Sequence, residues 1–237
     1  TPPLAAPGTA AVAALAAQPT LAGLPALAAM TAMLAGLTVA AAPLAAQTAT
    51  DIHLLTLERS GGRVAVVGAP VAVTDRDGYD NQPAFLPDGS ALLYTSIRDD
   101  QADTWRYDLT RGRTTRVTRT AESEYSPTPI PATERFSVVR VEADSAQRVW
   151  SFAPDGGDAR LVLERVAPVG YHVWTTPERI ALFVLGDPPT LRLADTSTGD
   201  AEEVTAGIGR SLQPVPGRNA VSFTQQVDGE WWLRELD

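Results

Sequence analysis

The sequence predicts an all-β protein and, within that class, a β-propeller. Three observations predict it: a repeat with a period near forty residues, turn-forming Asp-Gly pairs, and short runs that alternate apolar and polar side chains. Periods of roughly 40–45 residues are typical of four-stranded propeller blades. By this count the 237 residues hold about four blades, and the complete ring is expected to have about six.

The repeat is carried by two motifs in each unit. The first motif opens with a polar residue, in most copies followed by proline, and continues into an apolar strand. It begins at Gln82, Ser126, His172 and Gln213. The second motif alternates apolar and polar residues and ends in a turn. Its matched positions lie 45, 42 and 42 residues apart, at Asp108, Ala153, Asp195 and Asp237. No helical period competes in this region.

Residues 1–46 precede the repeats and are predicted to be a signal peptide or apolar leader. Residues 1–50 contain no charged side chain, and residues 21–46 are apolar apart from small residues and proline. Pro43 ends the apolar segment, and cleavage is expected after Ala46. The location is therefore expected to be periplasmic or secreted. Two alternatives stay open: an uncleaved apolar helix that anchors the chain in a membrane, and a disordered extension over residues 1–29.

Residues 51–237 are predicted to form the propeller. The first part, from Ile52 to the run at Val71, is interpreted as the third and fourth strands of a blade that lacks its first two. The chain ends after a third strand, so the completing strands are expected beyond Asp237 in the intact protein. Trp231 and Trp232 lie in that last strand, and because neighbouring residues face opposite ways, one of them must point outward or be covered.

The turns and strands of each unit have a physical reason. Pro87-Asp88-Gly89 and the later Asp155-Gly156 and Asp228-Gly229 pairs form tight turns, in which glycine accepts the positive φ angle. The runs at 91–94, 137–141 and 180–185 are rich in β-branched, apolar and aromatic residues, as strands are. Each unit is therefore expected to be a four-stranded antiparallel meander. A single meander cannot bury both of its faces, so neighbouring units must stack around a channel.

These residues resemble the WD40-like repeats, called PD40 repeats, of TolB and related secreted bacterial propellers. The resemblance rests on residues 78–89, 122–129 and 169–172, and it extends over residues 51–237. It implies the propeller fold. It does not imply one function, since such repeats occur in scaffolds, in lyases and in the propeller domains of peptidases. The third and fourth repeats depart from the pattern because they lack Pro-Asp-Gly.

Composition excludes several classes of partner and chemistry. The net charge of −9 lies entirely on residues 51–237, and no arginine-rich stripe offsets it, so nucleic acid is not an expected partner. Cysteine and lysine are absent, which excludes disulfides, thiolate chemistry and lysine-based catalysis. No cofactor and no metal are expected. The protein is expected to be a monomer that contacts a membrane only through an uncleaved leader.

The candidate site follows from propeller geometry, because the first strand of each blade lines the central channel. The residues that open these strands should surround one mouth of the channel. They are Tyr79, Asp80, Asn81, Gln82, Glu124, Tyr125, Ser126, Tyr171, His172 and Gln213. Aromatic faces combined with amide and carboxylate groups can orient a peptide terminus or a small polar ligand. The alternative is that these side chains only make hydrogen bonds between blades.

Three other features favour structural interpretations. His172 has no companion histidine at ligand spacing, since His53 lies in the incomplete blade, so a structural histidine is favoured over a catalytic base or metal ligand. The acidic segment from Asp75 to Asp80 lacks the full calcium-loop pattern and is expected to be a solvated turn. The acidic group at 99–103 is expected to be a similar loop. No Gly-x-Ser-x-Gly nucleophile motif occurs.

The leading functional hypothesis is an exported, non-enzymatic propeller that binds a protein or peptide in the cell envelope. One alternative is a hydrolase or lyase that acts at the channel mouth with His172 and nearby carboxylates. Another is the propeller domain of a larger peptidase, whose catalytic domain would lie outside residues 1–237. A third is a purely structural module of an envelope protein.

Overall fold

The computed structural model describes the strand Ala11–Ala16 and residues 49–237, and every regular element in this part of the chain is a β-strand. The predicted apolar segment and the cleavage site at Ala46 lie outside the described residues. None of the described residues belongs to a helix long and apolar enough to cross a membrane.

In the part of the chain that the structure describes, eighteen strands form five sheets, each an antiparallel meander in chain order. The first sheet contains β1 (Ala11–Ala16), β2 (Ile52–Ser60) and β3 (Arg63–Ala72). The first complete blade contains β4 (Asp80–Phe85), β5 (Ala91–Arg98), β6 (Gln101–Asp108) and β7 (Arg113–Arg116). The second contains β8 (Ser123–Pro129), β9 (Phe136–Val141), β10 (Gln147–Phe152) and β11 (Arg160–Leu161). The third contains β12 (Val169–Trp174), β13 (Arg179–Val184), β14 (Thr190–Asp195) and β15 (Asp200–Ala206). The last sheet contains β16 (Ile208–Pro214), β17 (Val221–Val227) and β18 (Glu230–Leu236).

This arrangement confirms the predicted propeller. The first strands β4, β8, β12 and β16 contact one another in succession, so they lie around a common axis with the later strands outside them. The half-blade is present as the β2–β3 hairpin. One strand was not expected: β1 lies in the predicted leader and pairs antiparallel with β2. Cleavage after Ala46 would remove β1 from this sheet, and that cleavage stays a prediction.

The core of the molecule lies between blades and not within them. In β13, Ile180 and Leu182 belong to an apolar cluster shared with the preceding blade, which contributes Val139 and Val149. Ala181 and Phe183, on the opposite face of β13, belong to a cluster shared with the following blade. Strand side chains alternate between faces, so an uninterrupted apolar run fills both interfaces. Each blade therefore completes the core of its two neighbours.

The same packing joins the earlier sheets. Leu93 of β5 lies in one cluster with Phe136 and Val138 of the next blade. Leu92 and Tyr94, on the other face of β5, pack with the half-blade strand β2. Described residues pack against one of the two faces of the final sheet. Trp231 and Trp232 on β18 are 59% and 53% exposed, so among the described residues neither tryptophan is fully covered.

The predicted turns have specific contacts. Asp88 Oδ1 accepts hydrogen bonds from the Ser90 backbone N–H at 3.0 Å and from Ser90 Oγ at 2.8 Å, and these bonds lower the pKa of Asp88. Asp195 and Ser197 repeat this arrangement in a later blade. The first hairpin of the second complete blade lacks Pro-Asp-Gly and closes differently, with Thr133 Oγ1 donating to the Ile130 carbonyl at 3.0 Å.

Two turn glycines provide a matched test of this geometry. Gly89 and Gly156 both have positive φ, but a Cβ at Gly89 would meet no atom within 4 Å, whereas one at Gly156 would lie 2.2 Å from the Val117 carbonyl oxygen. We expect Gly89→Ala to lower the free energy of unfolding by about 1 kcal/mol through backbone strain. Gly156→Ala should cost clearly more, because the backbone of the preceding blade must also shift. Urea unfolding measures both values, and equal losses would contradict the contact.

Candidate binding site in the central channel

The first strands of four blades enclose a cavity of about 930 Å³ along the axis of the molecule. This volume lies in the range of ligand pockets. The described residues that line it are Asn81, Gln82, Pro83, Ala84, Phe85, Pro87, Ser126, Pro127, Thr128, Pro129, Pro131, Tyr171, His172, Val173, Trp174, Arg210, Leu212, Gln213, Pro214 and Pro216. Seven of them are prolines. Four of the seven lie within first strands, which tolerate proline because one of their edges has no neighbouring strand. We call this space the channel cavity.

The channel cavity brings together six of the ten residues that the sequence analysis selected. They are Asn81, Gln82, Ser126, Tyr171, His172 and Gln213. The remaining four, Tyr79, Asp80, Glu124 and Tyr125, are not among the lining residues. The ten residues lie in the first strands or directly before them, and the position along each strand decides which side chains reach the cavity.

Gln82 and Ser126 share an unusual backbone conformation at matched positions. Their φ angles are +57° and +55°, in the left-handed region. Each residue lies where the pairing of its strand with the next one shifts register, as in a β-bulge. Bulges bend a strand and redirect its side chains, and they often occur near functional sites. Proline follows each of the two residues within the bulge, at Pro83 and Pro127.

The Gln82 side chain connects two blades. Gln82 Oε1 accepts hydrogen bonds from the Ser126 backbone N–H and from Thr95 Oγ1, each at 2.8 Å. Ser126 belongs to the next blade, so this oxygen holds adjacent first strands together. The side-chain carbonyl oxygen of Gln82 therefore makes hydrogen bonds that join blades, as the structural alternative for these residues expected.

His172 is also part of a contact between blades. Its Nε2 lies 2.7 Å from Ser137 Oγ, which accepts a second hydrogen bond from Trp174 Nε1 at 2.8 Å. Ser137 Oγ donates its own hydrogen to the Thr128 carbonyl at 3.2 Å, so Nε2 of His172 is assigned the hydrogen. Burial lowers the pKa of His172 to about 3. The imidazole is therefore neutral at physiological pH.

The His172–Ser137 pair has the spacing of a base and a nucleophile, but its surroundings differ from those of a catalytic pair. Ser137 is fully buried, and its oxygen is occupied by the indole N–H of Trp174. A base with a pKa of about 3 is also a weak proton acceptor near neutral pH. The pair is suited to joining blades. The favoured structural interpretation of His172 agrees with this geometry.

Three tyrosines from successive blades lie near one another at the end of the channel cavity where the first strands begin. Burial raises the pKa of Tyr79 to about 12, and the neighbouring phenols of Tyr171 and Tyr125 contribute to the increase. Burial also raises the pKa of Tyr125. The phenols of Tyr79 and Tyr125 are therefore neutral and able to donate hydrogen bonds at physiological pH.

Asp80 and Glu124 occupy matched positions and are both fully buried. Arg76 Nε lies 2.9 Å from Asp80 Oδ2, and Arg140 Nη2 lies 3.3 Å from Glu124 Oε1. Burial raises the pKa of both carboxyl groups, and the nearby arginines oppose that increase. The expectation that Asp80 belongs to a solvated turn was wrong, because the turn folds its carboxylate inward against Arg76.

The second acidic group requires a similar correction. Asp99 and Asp100 are exposed, as expected, but Asp103 lies within β6 and is 2% exposed. Its Oδ2 is 2.7 Å from Arg116 Nη2 on the adjacent strand β7. Asp103 is therefore a buried partner of an arginine and not part of an acidic loop. No cluster of three or more potential metal ligands occurs among the described residues.

The repeat pattern did not predict Arg210, Trp174 or the prolines as lining residues of the channel cavity. A signal for Arg210 was available in the repeat. It precedes Gln213 by three residues, as Tyr79 precedes Gln82, and both follow a glycine. The prolines were recognised as part of the first repeat motif, but not as residues that line the channel cavity.

Three polar atoms in the wall of the channel cavity are buried without a hydrogen-bond partner among the described residues. They are Asn81 Nδ2, Ser126 Oγ and His172 Nδ1. Leaving such an atom without a partner typically costs about 1–3 kcal/mol, so unpaired groups are rare in folded proteins and call for an explanation. Because they lie in three successive first strands, this wall is polar and some of its hydrogen-bonding groups have no partner among the described residues.

Comparison with known proteins places the fold but not the activity. No protein-family model matches the chain. A curated relative, an uncharacterised protein of Agrobacterium fabrum (strain C58), is 27% identical over 104 residues, which is 41% of this chain and 36% of that protein. The chain thus spans little more than a third of the relative.

The similar solved structures are propellers of different function. TolB from Acinetobacter baumannii has a TM-score of 0.62 at 16% identity, covering 78% of this chain and 48% of that one. A protein described as TolB from Agrobacterium tumefaciens has a TM-score of 0.54 at 17% identity, covering 77% and 69%. An oligogalacturonate lyase in complex with manganese has a TM-score of 0.55 at 14% identity, covering 80% and 58%. The chain therefore has a TolB-like β-propeller fold over most of its length.

Proposed function

We propose that this chain is the propeller part of an exported protein that binds a protein or peptide partner in the cell envelope. The observation that carries the proposal is the channel cavity. Its wall combines a rigid proline surface with amide, hydroxyl and aromatic side chains from four blades. Such a mixture, with few polar groups at defined places, is typical of binding sites.

The polar character of the wall supports a bound polar molecule, since the exposed Gln213 side chain lines the cavity beside the more deeply buried polar groups. Asn81, Ser126 and His172 each contribute a buried atom that lacks a hydrogen-bond partner among the described residues. A polypeptide segment carries both N–H and C=O groups and can supply either kind of partner. The likeness to TolB proteins supports an envelope location only through the shared fold.

Catalysis at the channel mouth is the second candidate, because a lyase shares the fold. The geometry favours binding over catalysis. His172, the residue on which an acid–base mechanism would depend, has a pKa of about 3 and is hydrogen-bonded within the wall. Asp80 and Glu124, the nearby carboxylates, are buried against arginines.

A site-specific cross-linking experiment tests the binding proposal. A photoreactive residue placed at Gln213, which is exposed and lines the channel cavity, should capture a specific partner from envelope extract. The same residue at Thr115, exposed on the outer strand β7, is the matched control and should not capture it. Identical products at both positions, or no product at Gln213, would contradict the proposal.

A further inference from the structure

Arg210 is the one charged side chain among the described residues that line the channel cavity. It lies on β16, is exposed, and also borders a smaller adjacent cavity of about 550 Å³. The salt bridges of the described residues use other arginines. The guanidinium of Arg210 is therefore free to bind a ligand.

The carboxylates of the first strands do not compete for Arg210. None of the described lining residues carries a carboxylate. The carboxylates of Asp80 and Glu124 lie outside the lining and pair with Arg76 and Arg140. The protein has a net charge of −9, yet the charge nearest the cavity is positive. An anionic group is thus the ligand chemistry that the cavity complements.

The shape of the channel cavity restricts how that anion can be presented. A volume of about 930 Å³ accepts the end of a chain but not a folded domain. Peptide C-termini are often captured by backbone N–H groups, but prolines such as Pro83, Pro127 and Pro214 have no N–H to offer. The Arg210 guanidinium provides donors where these prolines do not, and it can make two parallel hydrogen bonds to one carboxylate.

We propose that the channel cavity binds an extended peptide by its C-terminal carboxylate, which pairs with Arg210. The inference rests on the proposed function and adds a chemical class and an orientation to it. Gln213 and Tyr171 lie in the same wall and can donate hydrogen bonds to the peptide. The terminal carboxylate occupies the region of Arg210, and the preceding residues extend along the proline wall.

Two pools of acetylated random hexapeptides test this assignment, one with free C-terminal carboxylates and one with C-terminal amides. Each pool is passed over the immobilised protein, and the retained peptides are counted by mass spectrometry. We expect the free-acid pool to be retained about 10- to 100-fold more than the amide pool. Arg210→Gln should abolish that preference. Arg113→Gln, which removes an exposed arginine from the outer strand β7, should leave it unchanged.

Several outcomes would overturn the assignment. Equal retention of the two pools, retention of neither, or an unchanged preference in Arg210→Gln would each do so. Arg210-dependent retention of amidated peptides rich in Asp and Glu would overturn it as well, because the carboxylate would then come from side chains. If capture at Gln213 persists in any of these cases, the proposed function stands and only the terminal carboxylate is wrong. If capture also fails, both proposals fail.

Discussion

Replacing Leu182 with alanine is expected to lower the free energy of unfolding by about 2–5 kcal/mol. Leu182 is fully buried in β13, the second of the four strands of its blade, in the cluster that this blade shares with its predecessor. The substitution removes apolar area from the core and leaves a cavity between two sheets. Both sheets are held by their own hydrogen-bond ladders, so they relax only partly into the space. Urea unfolding followed by tryptophan fluorescence measures the loss.

Leu161→Ala is the matched control for this prediction. Leu161 lies on the outer strand β11 and is 38% exposed, so its truncation removes less buried area and leaves no closed cavity. We expect a loss well below that of Leu182→Ala. Similar losses for the two variants would mean that the interface between blades is not the main source of stability.

The second large effect is a dependence of stability on pH that comes from His172. In the unfolded chain its pKa is close to the ordinary 6.5, whereas burial lowers the pKa of the folded state to about 3. Between these values the unfolded chain binds more protons, so the free energy of unfolding falls as pH decreases from 6.5 towards 3. With about 1.4 kcal/mol for each pKa unit, His172 alone removes roughly 2–3 kcal/mol of stability between pH 7.5 and pH 4.5.

The variant His172→Gln separates this effect from that of the buried carboxyl groups. Asp80, Asp103 and Glu124 have raised pKa values, so in the folded state they take up protons first and oppose the loss as pH falls. They are present in both proteins, and glutamine can still donate a hydrogen bond to Ser137. Urea unfolding at the two pH values should give a drop about 2–3 kcal/mol smaller in the variant. Equal drops would show that His172 is accessible to protons in the folded state.

The parts of the fold that the sequence predicted correctly are those set by local chemistry. The Asp88 turn and the Ile180 run follow from hydrogen bonds and side-chain alternation within a few residues, and the repeat then places the first strands together. Gln82, Ser126, His172 and Gln213 could be assigned to one channel for that reason. The bulges that redirect Gln82 and Ser126 depend on pairing with another strand, which a single segment does not reveal.

What the sequence did not predict depends on partners that are distant along the chain or lie in other strands. Asp103 looked like part of an exposed acidic loop because its partner, Arg116, lies on the next strand. Asp80 was similar, since the inward turn that brings Arg76 against it has no sequence mark. Apart from its position in the repeat, nothing in the sequence distinguishes Arg210 from the other arginines among the nineteen basic residues. Its significance comes from the absence of a carboxylate beside it among the described residues.

The prolines of the first strands determine which backbone can contact a ligand. β4, β8 and β16 each contain proline, at Pro83, at Pro127 and Pro129, and at Pro214, whereas β12 contains none. Of the four strands around the axis, β12 is thus the one that keeps a full set of main-chain donors. An extended polypeptide bound in the channel cavity could therefore form an uninterrupted row of main-chain hydrogen bonds with β12 alone among these four strands. This gives the cavity one preferred side.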